Sequence, residues 1–596
     1  MKNRNYFLIF IFACCSGVVC TAEGQNKNKH YIKNRIMTTE DGNSFREKVL
    51  YYDIFGKHTE TVQVGASPQG KDLLFTFGYD ILDRPVGESL PLPDGNRNYY
   101  GDAYYYSGCV YGNSSLNRIR ESYGPGAAWR DNGKSIKTEY LVNADSGDLS
   151  CAEFRAEDNG EDVKLIRSGL YAAGELSVAR TTDEDGKVVY TFTDFEGKLL
   201  LTRRMNGTEP HDTYIVYDDR GRKRIVLPPL AADELTATAS WGCNSSEVIK
   251  KYGYVYRYDG RDRVIEKKLP GCDPVHFVYD RSDRLILKQN GNNRKDGVWQ
   301  YYQYDGLGRE VIWGVLPSST GREDWEVIFR DTVCCERFIG LGQDGNFGYT
   351  NTAAFNESRT PLIVSYYDSY AFEALSDSFL TYVDKPDFGK RIERPSGKLT
   401  GQIIALLNNP ELKEHVTLYY DKRGRVIQTN ACSVSGFHNY SFTKYDFIGQ
   451  PISVRKEHYS IYPAKAILEP EATYDHTIVY DYEYDHAGRL TRLYQTFDKN
   501  ERIKIAEYRY DEAGRLVGKV LHDGKFDCKY DYNIRGWLTE IDEPFMNEKI
   551  YYNEDLPEGV EPLYNGNIAD VYYSAHDSAH FRLSYDGLNR LTASQQ

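Results

Sequence analysis

A phrase of six residues recurs along this chain: Tyr-Asp, two variable residues, Gly, and then Arg or Lys. Close copies begin at Tyr217, Tyr304, Tyr420, Tyr484 and Tyr510, and looser copies begin at Tyr52, Tyr79, Tyr258, Tyr279, Tyr445 and Tyr585. Neighbouring copies often lie about 20–26 residues apart, a spacing typical of repeat architectures. The sequence therefore predicts a repeat array, and any function has to follow from that array.

Each copy of the phrase has the composition of a hairpin turn. Asp at the first position of a type I turn can bond its own backbone two residues on, and Gly at the fourth position leads into a bulged hairpin. In looser copies the Gly position holds Asp83, Asp262, Asp283 or Asn589, and Asp and Asn are the non-Gly residues that best tolerate a positive φ. The residues predicted to build the turns of the close copies are Asp218, Gly221, Asp305, Gly308, Asp421, Gly424, Asp485, Gly488, Asp511 and Gly514.

The segments on either side of the phrase read as strands. Residues 252–258 and 480–484 carry Tyr at alternate positions, which places the rings of one strand on one face. The chain holds 51 Tyr against 4 Met, so the packed face is aromatic, with a hydroxyl on each ring. Buried phenols usually need a partner, and we expect these hydroxyls to bond turn Asp, Arg or water. The predicted fold class is all-β.

The net charge and the N-terminal segment limit which partners and which cellular compartment are expected for the chain. The net charge of −14, without a Lys/Arg stripe, argues against nucleic acid. Lys2 and Arg4 precede an apolar run, and a cut after Ala22 would remove it, so residues 1–22 are predicted to be an export signal. Secretion is one outcome, and a lipid anchor on Cys14 or Cys20 is the alternative. In an exported chain the remaining cysteines permit disulfides without requiring them.

The repeats resemble those of the rearrangement-hotspot (Rhs) or YD-repeat proteins. The front part is similar to the N-terminal domain of unknown function that precedes the repeats in exported Rhs proteins of Gram-negative bacteria. The phrases that carry this second resemblance include residues 65–68, 115–118, 124–129, 182–186 and 226–230, and residues 399–401 and 564–568 also resemble recurrent phrases of that group.

The resemblance implies a β-hairpin ribbon that spirals into a hollow shell. Family members use the shell to enclose a variable C-terminal segment, commonly a toxin. A closed array removes sheet edges, and a wide barrel leaves an interior that its own side chains cannot fill. Tyrosine rings are expected to face that concave interior.

The chain departs from the family pattern after residues 585–590. We find no conserved core, no Asp-Pro-x-Gly junction with self-cleaving aspartates, and no toxin domain before Gln596. Either the partner of this chain is encoded separately, or the chain works as a scaffold or surface binder without cargo.

Enzyme chemistry finds little support in the sequence. Residues 340–345 match a dinucleotide fingerprint but are not followed by a helix, so a glycine turn is predicted. His576 and His580 are interpreted as a surface loop, and Cys334 with Cys335 as buried thiols or disulfide partners. No catalytic, cofactor or metal site is predicted. Residues 183–186 are interpreted as a hairpin tip, and residues 399–415 and 231–235 as short helices.

The resulting hypothesis divides the chain into an export signal (1–22), a mostly β head (23–240) and a repeat array (241–596). It describes a non-enzymatic, exported Rhs-type protein that forms part of a β-shell for a C-terminal or separately encoded toxin in bacterial competition. The alternative is a cell-surface carbohydrate-binding or adhesion protein, because exposed tyrosines stack well on sugars.

Overall fold

The structure is a computed structural model that describes residues 18–21, 30–160, 162–340, 346–352, 355, 358–375, 380–435, 437–460 and 476–596. Most of the predicted export signal and residues 341–345 of the fingerprint-like loop therefore lie outside the described residues. The predicted boundary near residue 240 stays a prediction.

Strands dominate the described residues. The first eighteen are β1 (Val18–Thr21), β2 (His30–Met37), β3 (Phe45–Tyr52), β4 (His58–Val64), β5 (Leu73–Tyr79), β6 (Pro85–Ser89), β7 (Leu92–Pro93), β8 (Tyr106–Tyr111), β9 (Ile119–Tyr123), β10 (Ile136–Val142), β11 (Ala152–Asn159), β12 (Asp162–Leu170), β13 (Ser177–Thr182), β14 (Val188–Thr193), β15 (Leu199–Asn206), β16 (Glu209–Tyr217), β17 (Lys223–Leu227) and β18 (Ser240–Gly242).

The later strands follow in the same manner. They are β19 (Tyr254–Tyr258), β20 (Val264–Lys268), β21 (Val275–Tyr279), β22 (Leu285–Gln289), β23 (Val298–Tyr304), β24 (Glu310–Pro317), β25 (Thr360–Tyr367), β26 (Leu399–Leu406), β27 (Asn409–Tyr420), β28 (Val426–Cys432), β29 (Phe437–Tyr445), β30 (Pro451–Ser460), β31 (His476–Tyr484), β32 (Leu490–Phe497), β33 (Ile503–Tyr510), β34 (Leu516–Leu521), β35 (Phe526–Tyr532), β36 (Leu538–Glu543), β37 (Met546–Tyr551), β38 (Asp570–Ser574), β39 (Ser578–Tyr585) and β40 (Leu591–Gln595).

Helices are short. The α-helices are α1 (Ala127–Asp131), α2 (Pro229–Glu234), α3 (Glu247–Tyr252), α4 (Gly291–Lys295) and α5 (Arg322–Phe329), and single 3₁₀ turns occupy Gly147–Leu149, Ala371–Leu375 and Pro386–Phe388. The predicted helix at 231–235 is confirmed as α2, whose first turn contains Pro229. No helix in the described ranges has the length and apolar character needed to cross a membrane.

The helix predicted over residues 399–415 is wrong. This segment forms β26 and the start of β27, with Gln402 paired to Val416 and Ile403 to His415. Residues of β26 alternate between buried and half-buried positions, a period of two that the aliphatic run obscured. Pairing with β25 on one side and β27 on the other decides the strand conformation.

One antiparallel sheet runs through the described residues. Thirty-seven strands belong to it, and each strand pairs mainly with its neighbours in sequence, while β11, β12 and β18 form a separate sheet of three strands. The ladder shifts register immediately before the Tyr of most repeats, for example between Val216 and Tyr217, because the hairpin carries a bulge there. Such bulges increase the local twist of the ribbon.

The twisted ribbon spirals into an incomplete hollow shell. The second turn of this spiral contacts the first, because hydrogen bonds join residues that are 351 to 441 positions apart in the sequence. Hairpins of residues 450–589 thereby lie against residues 46–206. We call this line of contacts the seam.

Two inserted layers build conventional cores on the ribbon. In the first, the small sheet of β11, β12 and β18 packs with α2 and α3 against β13–β17 and β19. In the second, α5 and the segment that follows it pack against β21–β26, around Trp299, Tyr301 and Phe329. Beyond residue 476 most strand residues are only half-buried, so there the wall is a single layer.

Candidate functional site: the Tyr-Asp ladder and the seam

Each repeat turn is closed by its own Asp. Oδ1 of Asp218 accepts hydrogen bonds from the backbone N–H of Arg220 (3.1 Å) and of Arg222 (2.9 Å), and Oδ2 accepts one from Nε of Arg222 (2.8 Å). Gly221 has a φ of 75°, in the left-handed region that most other residues avoid. Burial opposes ionisation, but the hydrogen bonds from Arg222 hold the pKa of Asp218 below its usual range.

The same geometry recurs at the other close copies. The fourth-position glycines have φ values of 78° (Gly308), 74° (Gly424), 87° (Gly488) and 92° (Gly514). The aspartates accept the backbone N–H four residues on, at 2.9 Å for Asp305, 3.0 Å for Asp421, 2.9 Å for Asp485 and 2.8 Å for Asp511. In the looser copies the same backbone position has φ values of 67° (Asp83), 62° (Asp262), 63° (Asp283) and 61° (Asn589).

In most copies the Arg that ends the phrase also reaches the next turn in sequence. While Nε is held by its own Asp, Nη1 of Arg263 donates to the carbonyl of Asp280 at 2.9 Å. Nη1 of Arg425 makes the equivalent bond to Asp446 at 2.8 Å. A guanidinium has five donors in a fixed fork, so one side chain can serve two turns at once. The turns are thereby linked along the rim of the sheet.

The repeat tyrosines link each hairpin to the preceding one. In twelve cases among the described residues, the tyrosine hydroxyl donates to the backbone carbonyl two residues after the Gly position of the turn before it. Bonds of 2.6–3.2 Å connect Tyr79 to His58, Tyr111 to Pro85, Tyr140 to Ile119, Tyr217 to Leu199, Tyr258 to Lys223, Tyr279 to Val264, Tyr304 to Leu285, Tyr367 to Glu310, Tyr420 to Leu399, Tyr445 to Val426, Tyr484 to Pro451 and Tyr510 to Leu490. We call this series the tyrosine ladder.

The predicted partners of these hydroxyls were wrong. Turn Asp and Arg side chains pair with each other, and the ladder hydroxyls bond backbone carbonyls instead. The accepting residue is the one that pairs across the bulge of its own hairpin, as Leu199 does with Thr193, and the phenol donates to its carbonyl. The repeat Tyr therefore stabilises the bulge of the neighbouring hairpin, a role that single-repeat reasoning cannot reveal.

Replacing Tyr420 with Phe is expected to remove one rung of this ladder. Its hydroxyl lies 2.6 Å from the carbonyl oxygen of Leu399, and the loss should lower the free energy of unfolding by about 0.5–1.5 kcal/mol. Urea unfolding followed by circular dichroism measures the change. Tyr256→Phe is the matched control, since that hydroxyl has no hydrogen-bond partner among the described residues and should cost less. Equal losses in both variants would contradict the ladder.

The single-layer wall has two contrasting faces. One face, the tyrosine face, carries Tyr480, Tyr482, Leu493, Ala506, Tyr508, Leu521, Tyr530, Ile541 and Ile550 together with the charged Lys519, Glu543 and Glu548, as the strand register shows. The other, the charged face, carries Asp481, Glu483, Arg492, Glu507, Arg509, Asp527, Lys529, Glu540, Asp542 and Lys549. Ion pairs such as Arg492 with Glu483 (3.2 Å) and Lys529 with Asp542 (3.3 Å) span neighbouring strands of the charged face.

The tyrosine face is half-buried by its own side chains. Burial raises the pKa of Tyr482, and its neighbours Tyr480 and Tyr508 add to the effect. Burial also raises the pKa of Tyr530, to which Tyr508 contributes as well. These rings form an aromatic surface that also carries Lys519, Glu543 and Glu548, and no described helix or inserted sheet covers it.

At the seam, repeat turns of the second spiral turn contact loops of the first. Nη1 of Arg489 donates to the carbonyl of Ala66 at 2.8 Å, and Nζ of Lys71 lies 2.8 Å from Glu512. The backbone N–H of Ala513 donates to the hydroxyl of Tyr99 at 3.3 Å. In other repeats the Nη1 of this arginine donates to the next hairpin turn in sequence. The Nη1 of Arg489 donates instead to a residue on the first spiral turn of the ribbon.

The seam is most densely packed around Trp129. This side chain is fully buried, and its Nε1 donates to the carbonyl of Tyr564 at 2.8 Å. The guanidinium of Arg535 lies 3.9 Å from the Trp129 ring centroid and pairs with Glu184 at 3.1 Å. The carboxylate of Asp185 accepts backbone N–H bonds of 3.0 Å from Tyr564 and Asn565. We call these residues the Trp129 cluster.

Burial shapes the electrostatics of this cluster. It raises the pKa of Asp185, although the backbone N–H groups of Tyr564 and Asn565 oppose the effect. It lowers the pKa of Arg535, and the hydrogen bond to Glu184 opposes that change. The seam therefore contains desolvated charged groups. The cost of their desolvation is offset because each is paired with a hydrogen-bonding or oppositely charged partner.

The cluster unites three phrases that the sequence presents far apart: residues 124–129, 182–186 and 564–568. Residues 183–186 do form a hairpin tip, with Gly186 at a φ of 79°, and Asp183 also accepts hydrogen bonds from Asn565 and Asn589. Sequence reasoning missed their association. The available signal was that Trp129, Glu184 and Asp185 have no role in closing a hairpin turn, which needs only Asp183 and Gly186.

The remaining candidate residues behave as structural groups. No cluster of three or more His, Cys, Asp or Glu that could hold a metal is present in the described ranges. Cys334 is a buried free thiol whose pKa burial raises to about 12, and Cys335 is free and half-buried. The loop interpretation is wrong for His580, which lies in β39, where its Nδ1 is 2.8 Å from Asp570.

Comparison with known proteins adds a domain and a fold. Residues 25–142 match a family model described as a domain of unknown function (DUF6443). "Salivary gland surface protein 1" of Aedes aegypti is 21% identical over 566 residues, which cover 90% of this chain and 14% of that protein.

The solved structures that this chain resembles share its fold at low sequence identity. The crystal structure of TcdB2-TccC3 superposes with a TM-score of 0.60 at 11% identity, covering 94% of this chain and 24% of that one. TcdB2-TccC3-Cdc42 gives the same TM-score at 12% identity. This chain spans about a quarter of those structures, with 24% covered in each. The family model thus covers residues 25–142, and the likeness to the solved structures is one of fold.

Proposed function

We propose that this chain is a non-enzymatic, exported wall segment of an Rhs-type shell that encloses or presents a toxin polypeptide, either C-terminal or separately encoded. The observation that carries the proposal is the bare tyrosine face of β31–β37. Elsewhere in the ribbon, inserted elements cover the face that lies opposite to the repeat tyrosines, for example at Val216 and Trp299. On the single-layer wall a surface made mostly of aromatic and aliphatic side chains lies opposite a face whose charges are already paired in salt bridges.

The chemistry of the tyrosine face suits an unfolded polypeptide. Phenol rings offer apolar area to any side chain, and their hydroxyls offer hydrogen bonds, without a fixed charge that would select one sequence. Exposed aromatic surface of this extent needs a partner to be soluble in a folded protein. We therefore assign the tyrosine face to the interior and the charged face to solvent.

Cysteine accessibility tests this assignment on the full chain. Tyr508→Cys and Arg509→Cys place thiols at adjacent positions on opposite faces of β33. N-ethylmaleimide should label both, whereas a maleimide carrying a long polyethylene glycol should label position 509 and be excluded from position 508. The unsubstituted chain provides the background from its native cysteines. Faster bulky labelling at position 508 would put the tyrosines on the outer wall and end the container interpretation.

Adhesion remains a second candidate because exposed tyrosines can stack on sugars. A glycan array distinguishes it from the shell. Binding that is lost in Tyr482→Ala and kept in Glu483→Ala would favour adhesion through the tyrosine face. Protease protection of a co-expressed neighbouring gene product, without glycan binding, would favour the shell.

A further inference from the structure

A cavity of about 490 Å³ lies between α3 and the turn that follows β20. None of its lining residues belongs to the tyrosine face or the seam, and the cavity adjoins α3 of the first inserted core. Its lining includes Lys250, Lys251 and Lys268, two acidic residues, Glu247 and Asp273, and also Asn244 and Cys272. Three lysines around one cavity are unusual in a chain whose net charge is −14.

Lys268 is the informative residue. Only 7% of it is exposed, and it pairs across the sheet with Val255, which belongs to the first core. Within the described part of the chain its ammonium forms no hydrogen bond and no ion pair. Burial is the main reason that its pKa lies below the ordinary lysine value, and the nearby Lys250 lowers that pKa further.

Two of the carboxylates near Lys268 are engaged elsewhere, whereas Asp273 shares the lining of the cavity with it. Asp162 accepts the backbone N–H groups of Val163 (2.8 Å) and Asn244 (3.0 Å). Glu266 is bound by Arg257 at 3.2 Å. The rim lysines differ from Lys268, since Lys250 pairs with Glu247 at 2.9 Å and the Nζ of Lys251 lies 4.9 Å from the Tyr252 ring centroid.

A largely buried lysine whose ammonium has no direct ion pair is costly, so such residues mark sites where an anion reaching the ammonium through the cavity would complete the structure. Lysine binds phosphate as a point charge, without the planar geometry that arginine requires. We propose that this cavity is a binding site for a phosphate-type oxyanion, with Lys268 as its buried counter-charge and Lys250 and Lys251 at the rim. The site is independent of the proposed shell function.

Thermal unfolding with inorganic phosphate tests the proposal. At a phosphate concentration tenfold above the dissociation constant, binding should raise the folded-to-unfolded ratio about elevenfold. Lys268→Met keeps most of the stem and removes the charge, so it should abolish the phosphate effect while leaving the phosphate-free protein as stable or more stable. Lys267→Met is the matched control, because Lys267 is the adjacent residue on the other face of β20 and faces Tyr256. It should respond to phosphate like the unsubstituted chain.

Two further arms keep the result interpretable. Should Lys268→Met fail to fold, Lys250→Gln with Lys251→Gln changes only the rim and should weaken phosphate binding in calorimetry. Vesicles containing phosphatidylglycerol separate the sources: Lys268-dependent co-sedimentation would assign a lipid headgroup, and phosphate binding without it a soluble ligand. Absence of both, or an unchanged phosphate response in Lys268→Met, would overturn the site.

Discussion

Replacing Trp129 with Ala is expected to open the seam. The side chain is fully buried, bonds the Tyr564 carbonyl at 2.8 Å and lies beneath the guanidinium of Arg535. Its removal should cost about 3–5 kcal/mol, through lost burial and the cavity left behind. Because Arg535 then loses its aromatic neighbour, hydrogen exchange should rise across residues 552–569 and at the hairpin tip 533–536.

Trp299→Ala is the matched control for Trp129→Ala. Trp299 is equally buried but belongs to the second core, away from the seam. It should destabilise the protein by a similar amount while leaving exchange in residues 552–569 unchanged. If both variants expose that segment alike, the Trp129 cluster does not hold the spiral turns together.

The second large effect is expected from Asp280→Ala. Asp280 is fully buried, and its carboxylate accepts from Nε (3.0 Å) and Nη2 (2.7 Å) of Arg284 and from the backbone N–H of Cys334 (3.2 Å). Removing it leaves a guanidinium without its counter-charge and opens the turn. Breaking a buried pair in this way should lower the free energy of unfolding by about 3–5 kcal/mol, measurable by urea unfolding.

Asp586→Ala provides the comparison within the same motif. Asp586 makes the same contacts to the backbone and to Arg590, but the Arg590 side chain is 66% exposed. Water can replace the lost bonds there, so the change should be small. Similar losses of unfolding free energy in Asp280→Ala and Asp586→Ala would show that the phrase acts only within its own turn. The segment after α5, which covers Asp280, would then add nothing to the contribution of that residue.

The hairpin turns were predictable because their cause is local. Asp218, two residues and Gly221 contain both the acceptor for the turn N–H groups and the residue that tolerates a positive φ. The strands were predictable because tyrosines occupy alternate positions in the segments on either side of each turn. Residues 399–415 misled prediction, since an aliphatic run permits helix or strand and pairing with β25 and β27 decides between them.

Identical phrases acquire different partners in the folded chain. Arg515 donates to Asn533 in the next turn, whereas Arg489, in the same phrase, donates to Ala66 on the preceding spiral turn. The accumulated twist of many strands determines which turn lies beside Arg489, and no local pattern encodes that sum. The same holds for Lys268, whose isolation depends on what packs over β20.

The sequence by itself determined the repeating unit: a Tyr-Asp hairpin with a left-handed fourth position and an all-β ribbon. Only the tertiary structure decided the acceptors of the ladder tyrosines, the seam and the buried ammonium of Lys268. The physical reason is distance along the chain. Turn geometry is fixed within six residues, whereas seam contacts join residues as far as 441 positions apart and exist only after the whole ribbon has coiled.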